Sequence, residues 1–338
     1  MNIARRGLGA ASTIAVAATL LAAGPRPVSL GEPATGEPDI AAVLRDNAPR
    51  GAHELSAFVY DGGEVRFGGL GADESSEMEI GSVTKTFNAE LLRQAVEEGT
   101  LSPDTTVGEL LDVPGAAIEN VRLEELVNHT AGLDTMESLT QPELLLSNFR
   151  DGGNAYRRDT PEDILAAAGT ATLEKRGEYH YSNYSQALLG QLLAQQAGTS
   201  YEELVRTRIF EPAGMDSTYL ALPGTVDGAP RGLGTNGRAA EPWDMNGWAP
   251  AGAIRSTASD MARYVGWVAD HGRPDYGWLK HEVDGTEYPF HNGGTEGFHT
   301  MLVWDPAGRR ASFVGNSSSE SVDELGVALL NATKEKEQ

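Results

Sequence analysis

The chain of 338 residues is predicted to adopt an α+β fold, with strand-like segments toward both ends and a mostly helical stretch between them. Three observations carry this. Residues 55–60 and 64–70 flank Asp61-Gly62-Gly63, the signature of a β-hairpin. Residues 82–98 hold the clearest helical pattern, with Phe87, Leu91 and Ala95 at intervals of four and Gly99 where a C-terminal cap belongs. Late in the chain, residues 301–304 and 311–315 read as strands around an Asp305-Pro306-Ala307-Gly308 turn, and residues 322–332 as a last helix.

The remaining elements follow in order. Residues 25–38 are rich in Pro, Gly and Glu without apolar periodicity and are expected to be a linker, followed by a short helix over 40–45. Residues 123–127 form a short helix, and Thr160-Pro161 before Glu162 and Asp163 starts another. Residues 184–197 are apolar at helical spacing and end at Gly198, and Ser200 with Glu203 makes a capping box for the next helix. The expected organisation is a domain over 39–335, with an α+β lobe from about 39–105 and 240–335 and a helical lobe over about 106–239.

Composition narrows the function. Hydrophobic content of 40% with 22% charged residues is that of a globular protein. A net charge of −23 disfavours nucleic acid and anionic membrane faces as partners, leaving a small-molecule or peptide substrate. Arg5 and Arg6 precede the uncharged residues 8–24, so residues 1–24 are expected to be a signal peptide and the protein secreted or extracytoplasmic. A membrane anchor is the competing reading, for which this stretch is at the short limit. The absence of cysteine excludes a thiol nucleophile, a thiolate metal site and a disulfide framework.

Three motifs carry chemistry. In Ser82-Val83-Thr84-Lys85, residues three apart on one helical face let the amine reach the hydroxyl, which needs a base before it can attack. Serine at a helix start also aims backbone N–H groups at the attacked carbonyl. The motif alone would equally fit a surface serine and a solvated lysine, but this chain has few lysines and Gly81 stands at a strand-to-helix joint. In Tyr181-Ser182-Asn183 a phenol can shuttle a proton and an amide can orient a substrate or the lysine. His291-Asn292-Gly293-Gly294 combines a polar pair with glycines that allow close backbone approach, so that Gly294 N–H could join that of Ser82 as an oxyanion donor.

The ordered set Ser-x-x-Lys, Tyr-x-Asn and His-x-Gly resembles the serine β-lactamase and penicillin-binding protein superfamily, in the branch of class C β-lactamases and D-alanyl-D-alanine peptidases. Ile80 through Phe87, the turn segment Leu126-Val127-Asn128-His129-Thr130-Ala131-Gly132-Leu133, Gly214 through Thr218, Ala251 through Thr257 and His291 through Phe298 all match in order. The resemblance implies an antiparallel sheet flanked by helices plus an inserted helical lobe, with the site between them. It implies Ser82 as nucleophile, Lys85 as base, Tyr181 as proton shuttle, Asn183, His291, Asn292 and Gly293 as substrate-binding residues, and the Ser82 and Gly294 N–H groups as the oxyanion hole. It calls for no cofactor and no metal. Class C β-lactamases usually carry lysine where His291 stands, so recognition of a substrate carboxylate is weakened, and Arg255 is a candidate for the missing cation.

The expected activity is acyl transfer through Ser82 on D-amino-acid-containing peptides, in the manner of a D-alanyl-D-alanine carboxypeptidase. An esterase or amidase, a class C-like β-lactamase, and a penicillin-binding sensor without turnover are the alternatives. A metal hydrolase built on His281, His291, His299 and Glu282 lacks the i, i+4 spacing of a zinc helix. His129 and His180 are expected to be packing or turn residues.

Overall fold

A computed structural model describes residues 24–136, 154–283 and 285–332. The signal-like stretch, apart from Gly24, lies outside them, as do residues 333–335 of the expected domain. The strands are β1 (Ala34–Gly36), β2 (Leu55–Asp61), β3 (Glu64–Leu70), β4 (Met78–Glu79), β5 (Tyr219–Leu220), β6 (Ile254–Ser256), β7 (Leu279–Val283), β8 (Thr286–Gly294), β9 (His299–Trp304) and β10 (Arg310–Asn316). Seven of them form an antiparallel sheet in the order β1-β3-β2-β10-β9-β8-β7. The two ends of the chain meet at the centre of this sheet, where Phe313 of β10 faces Phe58 of β2.

Side-chain alternation along the strands sorts residues to two faces. Leu55, Ala57 and Val59 of β2, with Met301 and Val303 of β9, pack under α1 (Pro38–Asn47) and a C-terminal helix, Asp323–Ala332. Phe58 and Tyr60, with Leu302 and Trp304, point the other way into a larger core that continues without a break through the helical lobe. With both faces covered, β2 is buried along nearly its whole length, and this explains its apolar sequence.

Helix α2 (Lys85–Glu97) runs through the middle of that larger core and is buried on all sides from Lys85 to Arg93. Beyond it lie α3 (Leu123–Val127), α4 (Pro161–Ala167) and α5 (Asn183–Ala197), followed later by α6 (Ala258–His271). Residues Tyr184 to Ala194 of α5 are all buried, the mark of a helix at the centre of its lobe. A second small sheet, β4-β6-β5, joins strands from both lobes directly before the serine, with Glu79 opposite Arg255 and Tyr219 opposite the same residue.

Two expectations change. The helix predicted from Ser82 begins at Lys85, and Gly81–Thr84 is a 3-10 turn leading into it. In that tighter turn residues three apart eclipse one another, which stacks Ser82 and Lys85 more directly than an α-helix would. The expected linker over 25–38 is in part an edge strand: Ala34 and Gly36 pair with Leu70 and Gly68, and Gly31 N–H bonds to the His53 carbonyl at 2.8 Å. Backbone pairing at an edge requires no apolar side chain, so periodicity could not reveal it.

Candidate active site

Gly81 turns the chain out of β4 with φ +50, and a Cβ there would lie 2.9 Å from Gly294 N and 3.1 Å from Gly293 C. Only glycine fits that conformation and that space without strain. The turn is fastened on two sides: Thr84 Oγ1 accepts the Ile254 N–H at 3.2 Å, and Thr300 Oγ1 donates to the Ile80 carbonyl at 2.9 Å. Ser82, the next residue, is therefore fixed beside strand β8.

Lys85 Nζ lies 2.9 Å from Ser82 Oγ and 2.5 Å from the Ala251 carbonyl oxygen. Its side chain is 0% exposed, and this burial pushes the ammonium down from 10.5 to about 7. About half of the lysine is then neutral near pH 7, against about 0.03% for an unperturbed one. A neutral amine in contact with a hydroxyl can take its proton.

Tyr181 Oη donates to Ser82 Oγ at 2.8 Å, and its ring stands 5.1 Å from Lys85 Nζ. Burial raises its phenol well above 10, so it keeps its proton at neutral pH and can act as an acid where Lys85 acts as a base. The Tyr181 segment is pinned from below by His129. The His180 N–H donates to the His129 carbonyl at 2.8 Å, Ser182 N–H donates to His129 Nδ1 at 3.1 Å, and the imidazole stacks on the Tyr181 ring at 4.5 Å. His129 is thus a turn residue, with φ +59, and a packing residue whose packing partner is Tyr181. Ser182 caps α5 by accepting Ser185 N–H at 3.0 Å.

The structure distributes the other candidates unevenly. Asn183 donates through Nδ2 to Tyr156 Oη at 3.0 Å, a partner the sequence did not indicate; the hydrogen bonds of Lys85 go to Ser82 and Ala251 instead. His291 faces inward from β8, and Gly293 on the same face presses its backbone against Ile80, where a Cβ would come within 1.9 Å of the carbonyl oxygen. Asn292 is a correction. Strand alternation turns its side chain away from the site, where its Nδ2 donates to Asp323 at 2.9 Å. Gly294 N stands beside Gly81, the residue before Ser82.

His291 is 1% exposed, and burial, with Lys85 close by, holds it down at about 3. The ring is neutral at pH 7. The Asn292 carbonyl accepts from Nδ1 at 2.8 Å, which places the ring proton there and leaves Nε2 a bare, buried acceptor. Arg255 is the second correction. It is fully buried between Glu77 (2.6 Å) and Glu79 (2.7 Å), donates to the Pro230 carbonyl and lies over Phe298, so its charge is used inside the protein. Among the described residues no group of three His, Asp or Glu side chains is arranged to hold a metal ion.

A model of the beta-lactamase family matches residues 41–336. The chain belongs to that family. Its sequence is 28% identical over 235 residues to penicillin-binding protein 4 of Amycolatopsis lactamdurans, covering 65% of this chain and 57% of that protein. It is 27% identical over 193 residues to a beta-lactamase of Escherichia coli, covering 55% of this chain and 46% of that enzyme. The chain thus spans about half the length of these two relatives. Among solved structures, the D-amino acid amidase of Ochrobactrum anthropi superposes with a TM-score of 0.73 at 20% identity, over 89% of this chain and 98% of that one. A class C beta-lactamase of Rhodobacter sphaeroides gives 0.70 at 18% identity, over 89% and 100%. At these identities the two structures establish the beta-lactamase fold alone.

Proposed function

We propose that this beta-lactamase-family protein is an amidohydrolase that cleaves D-amino-acid amides and peptides lacking a carboxylate on the leaving side. In this reading neutral Lys85 takes the Ser82 proton as Oγ attacks the carbonyl. The Ser82 and Gly294 N–H groups receive the developing oxyanion, and Tyr181 passes its proton to the leaving nitrogen. The proton on Lys85 then replaces the one Tyr181 gave up. With the neutral amine and the phenol restored, water takes the place of Ser82 as the attacking hydroxyl: its proton goes to Lys85 and the Tyr181 proton goes to Ser82 Oγ as the ester bond breaks.

The observation that carries the substrate class is the state of His291. A carboxylate anchor at this strand position needs a cation, and here a neutral, buried imidazole offers only an acceptor. Arg255, the other candidate cation, is committed to Glu77 and Glu79. Such a site suits neutral amides better than D-alanyl-D-alanine termini or β-lactams. The fold likeness to a D-amino acid amidase supports the same choice. Export, read from Arg5, Arg6 and residues 8–24, would place the activity outside the cytoplasm.

The test compares kcat/KM for D-phenylalanine amide, its L-enantiomer, a D-alanyl-D-alanine peptide and nitrocefin, with Ser82→Ala as the control. The D-amide is expected to lead the carboxylate-bearing substrates by at least about tenfold. Faster cleavage of the D-alanyl-D-alanine peptide or of nitrocefin overturns the proposal. Labelling by penicillin without turnover of any substrate would make the protein a sensor instead.

A further inference from the structure

Behind the Tyr181–His129 stack the protein holds a cavity of about 370 Å³, lined by His129, Tyr179, Trp278, Leu279, Lys280 and Phe290. Its size is that of a small-molecule pocket, and three of these residues are aromatic. Tyr179 is 59% exposed, the one large hydrophobic side chain so displayed among the described residues, and its ring meets His129 edge-on at 6.0 Å. An exposed aromatic at the mouth of a cavity marks a surface that gains by being covered.

The position of the cavity relative to the chemistry is fixed by two features. One face of the His129 ring carries Tyr181, the group that touches Ser82 Oγ. Strand β8 supplies the other: β7 pairs with it only as far as Phe290, opposite Leu279, and from His291 to Gly294 its pairing is with β9. The cleft edge therefore runs from Gly294, beside the nucleophile, to Phe290 at the cavity wall. Tyr181 and that wall are joined through His129, which stacks on the tyrosine and lines the cavity together with Phe290.

We infer that this cavity is the subsite for an aromatic or bulky apolar group carried on the leaving side of the substrate. The inference rests on Ser82 as nucleophile and Tyr181 as proton donor, and not on whether the scissile bond is a D-amide. During acylation the Ser82 Oγ–carbon bond forms and the bond from that carbon to the leaving oxygen or nitrogen breaks. The Ser82 proton goes to Lys85, and the Tyr181 proton goes to the leaving atom. The leaving atom must touch Tyr181 Oη, so whatever is attached to it extends past that ring toward His129, Tyr179 and Trp278. The Lys280 ammonium at the rim is paired with Glu287 at 3.2 Å, which leaves the aromatic walls to set the selectivity.

Two esters with one acyl group and alcohols of nearly equal acidity isolate the leaving side: 3-phenylpropyl butyrate and propyl butyrate. The expected result is a preference of about 10- to 100-fold in kcat/KM for the phenylpropyl ester, the gain from covering one phenyl ring. Tyr179→Ala and Trp278→Leu should each cut that preference to within about threefold while leaving kcat/KM for propyl butyrate within about twofold of the unsubstituted protein. The deacylation rate constant should be the same for both esters and in both variants, because the leaving group has departed. Equal kcat/KM for the two esters, or a preference that survives both substitutions, overturns the assignment. So does a deacylation rate that moves with the leaving group. Saturation-transfer NMR with 3-phenylpropanol gives the same answer without turnover: transfer that falls in both variants supports the subsite, and no transfer to the unsubstituted protein refutes it. Failure to cleave D-phenylalanine amide would end the amidase reading and leave the ester ratio untouched.

Discussion

Titrating the nucleophile's activation should expose the buried lysine directly. Lys85 is held at about 7 by burial, His291 at about 3 and His129 well below 6.5, while Tyr181 is raised. Within the set of Ser82, Lys85, Tyr181 and His291, only Lys85 then changes charge between pH 5 and pH 9. The neutral fraction of a base with that midpoint is about 1% at pH 5, about 10% at pH 6, about half at pH 7 and about 99% at pH 9. The second-order rate constant for labelling Ser82 with an uncharged fluorophosphonate should follow it. It should rise about tenfold per unit below pH 6 and gain only about twofold from pH 7 to pH 9. An unperturbed lysine would instead give about a hundredfold rise over those last two units. The measurement is probe incorporation against time at fixed ionic strength, with intact mass to confirm one label. A profile still climbing tenfold per unit at pH 9, or one whose midpoint survives Lys85→Arg, would refute burial of Lys85 as the source of the nucleophile's activation.

Further outcomes follow from the same contacts. Tyr181→Phe should lower kcat by about 10²- to 10⁴-fold while the labelling midpoint stays near 7, since it removes the acid and keeps the base; a shifted midpoint would mean that the phenol sets the lysine's charge. Lys85→Met should abolish labelling and raise the melting temperature most at low pH. The unfolded lysine titrates near 10.5 and the folded one near 7, so between these values the unfolded chain binds more protons and native stability rises with pH. The advantage of the variant should therefore be largest below pH 7 and shrink toward pH 10, and thermal melts across that range check it. Arg255→Met leaves Glu79, 4% exposed, without its cation and should cost about 3–5 kcal/mol in urea denaturation; a loss under about 1 kcal/mol would show that Glu79 finds another partner.

Residue spacing brought Ser82 and Lys85 to one side of the chain and marked the turns at Gly81 and Asp61-Gly62-Gly63, because each depends on neighbours within a few positions. The hairpin turn has both glycines at positive φ and pairs Asp61 with Glu64, as its local chemistry requires. The order of the three motifs was equally legible, and with it the family. Other features depend on groups distant in sequence, and only the folded chain could decide them. Lys85 is held down at about 7 because a core drawn from both lobes takes it out of water, and a sequence does not state burial. Arg255 looked like a free cation until β4 placed Glu77 and Glu79 against it, and Asn292 like a ligand until strand alternation turned it to Asp323. His129 lies in the turn segment 126–133, which does not say what its ring touches. It acquires a role only because the turn after α3 lies under Tyr181, more than fifty residues away, and a stacking contact over that separation leaves no periodic trace in the chain. Local hydrogen bonding and side-chain direction are written residue by residue, whereas desolvation and the pairing of charges are properties of the packed whole.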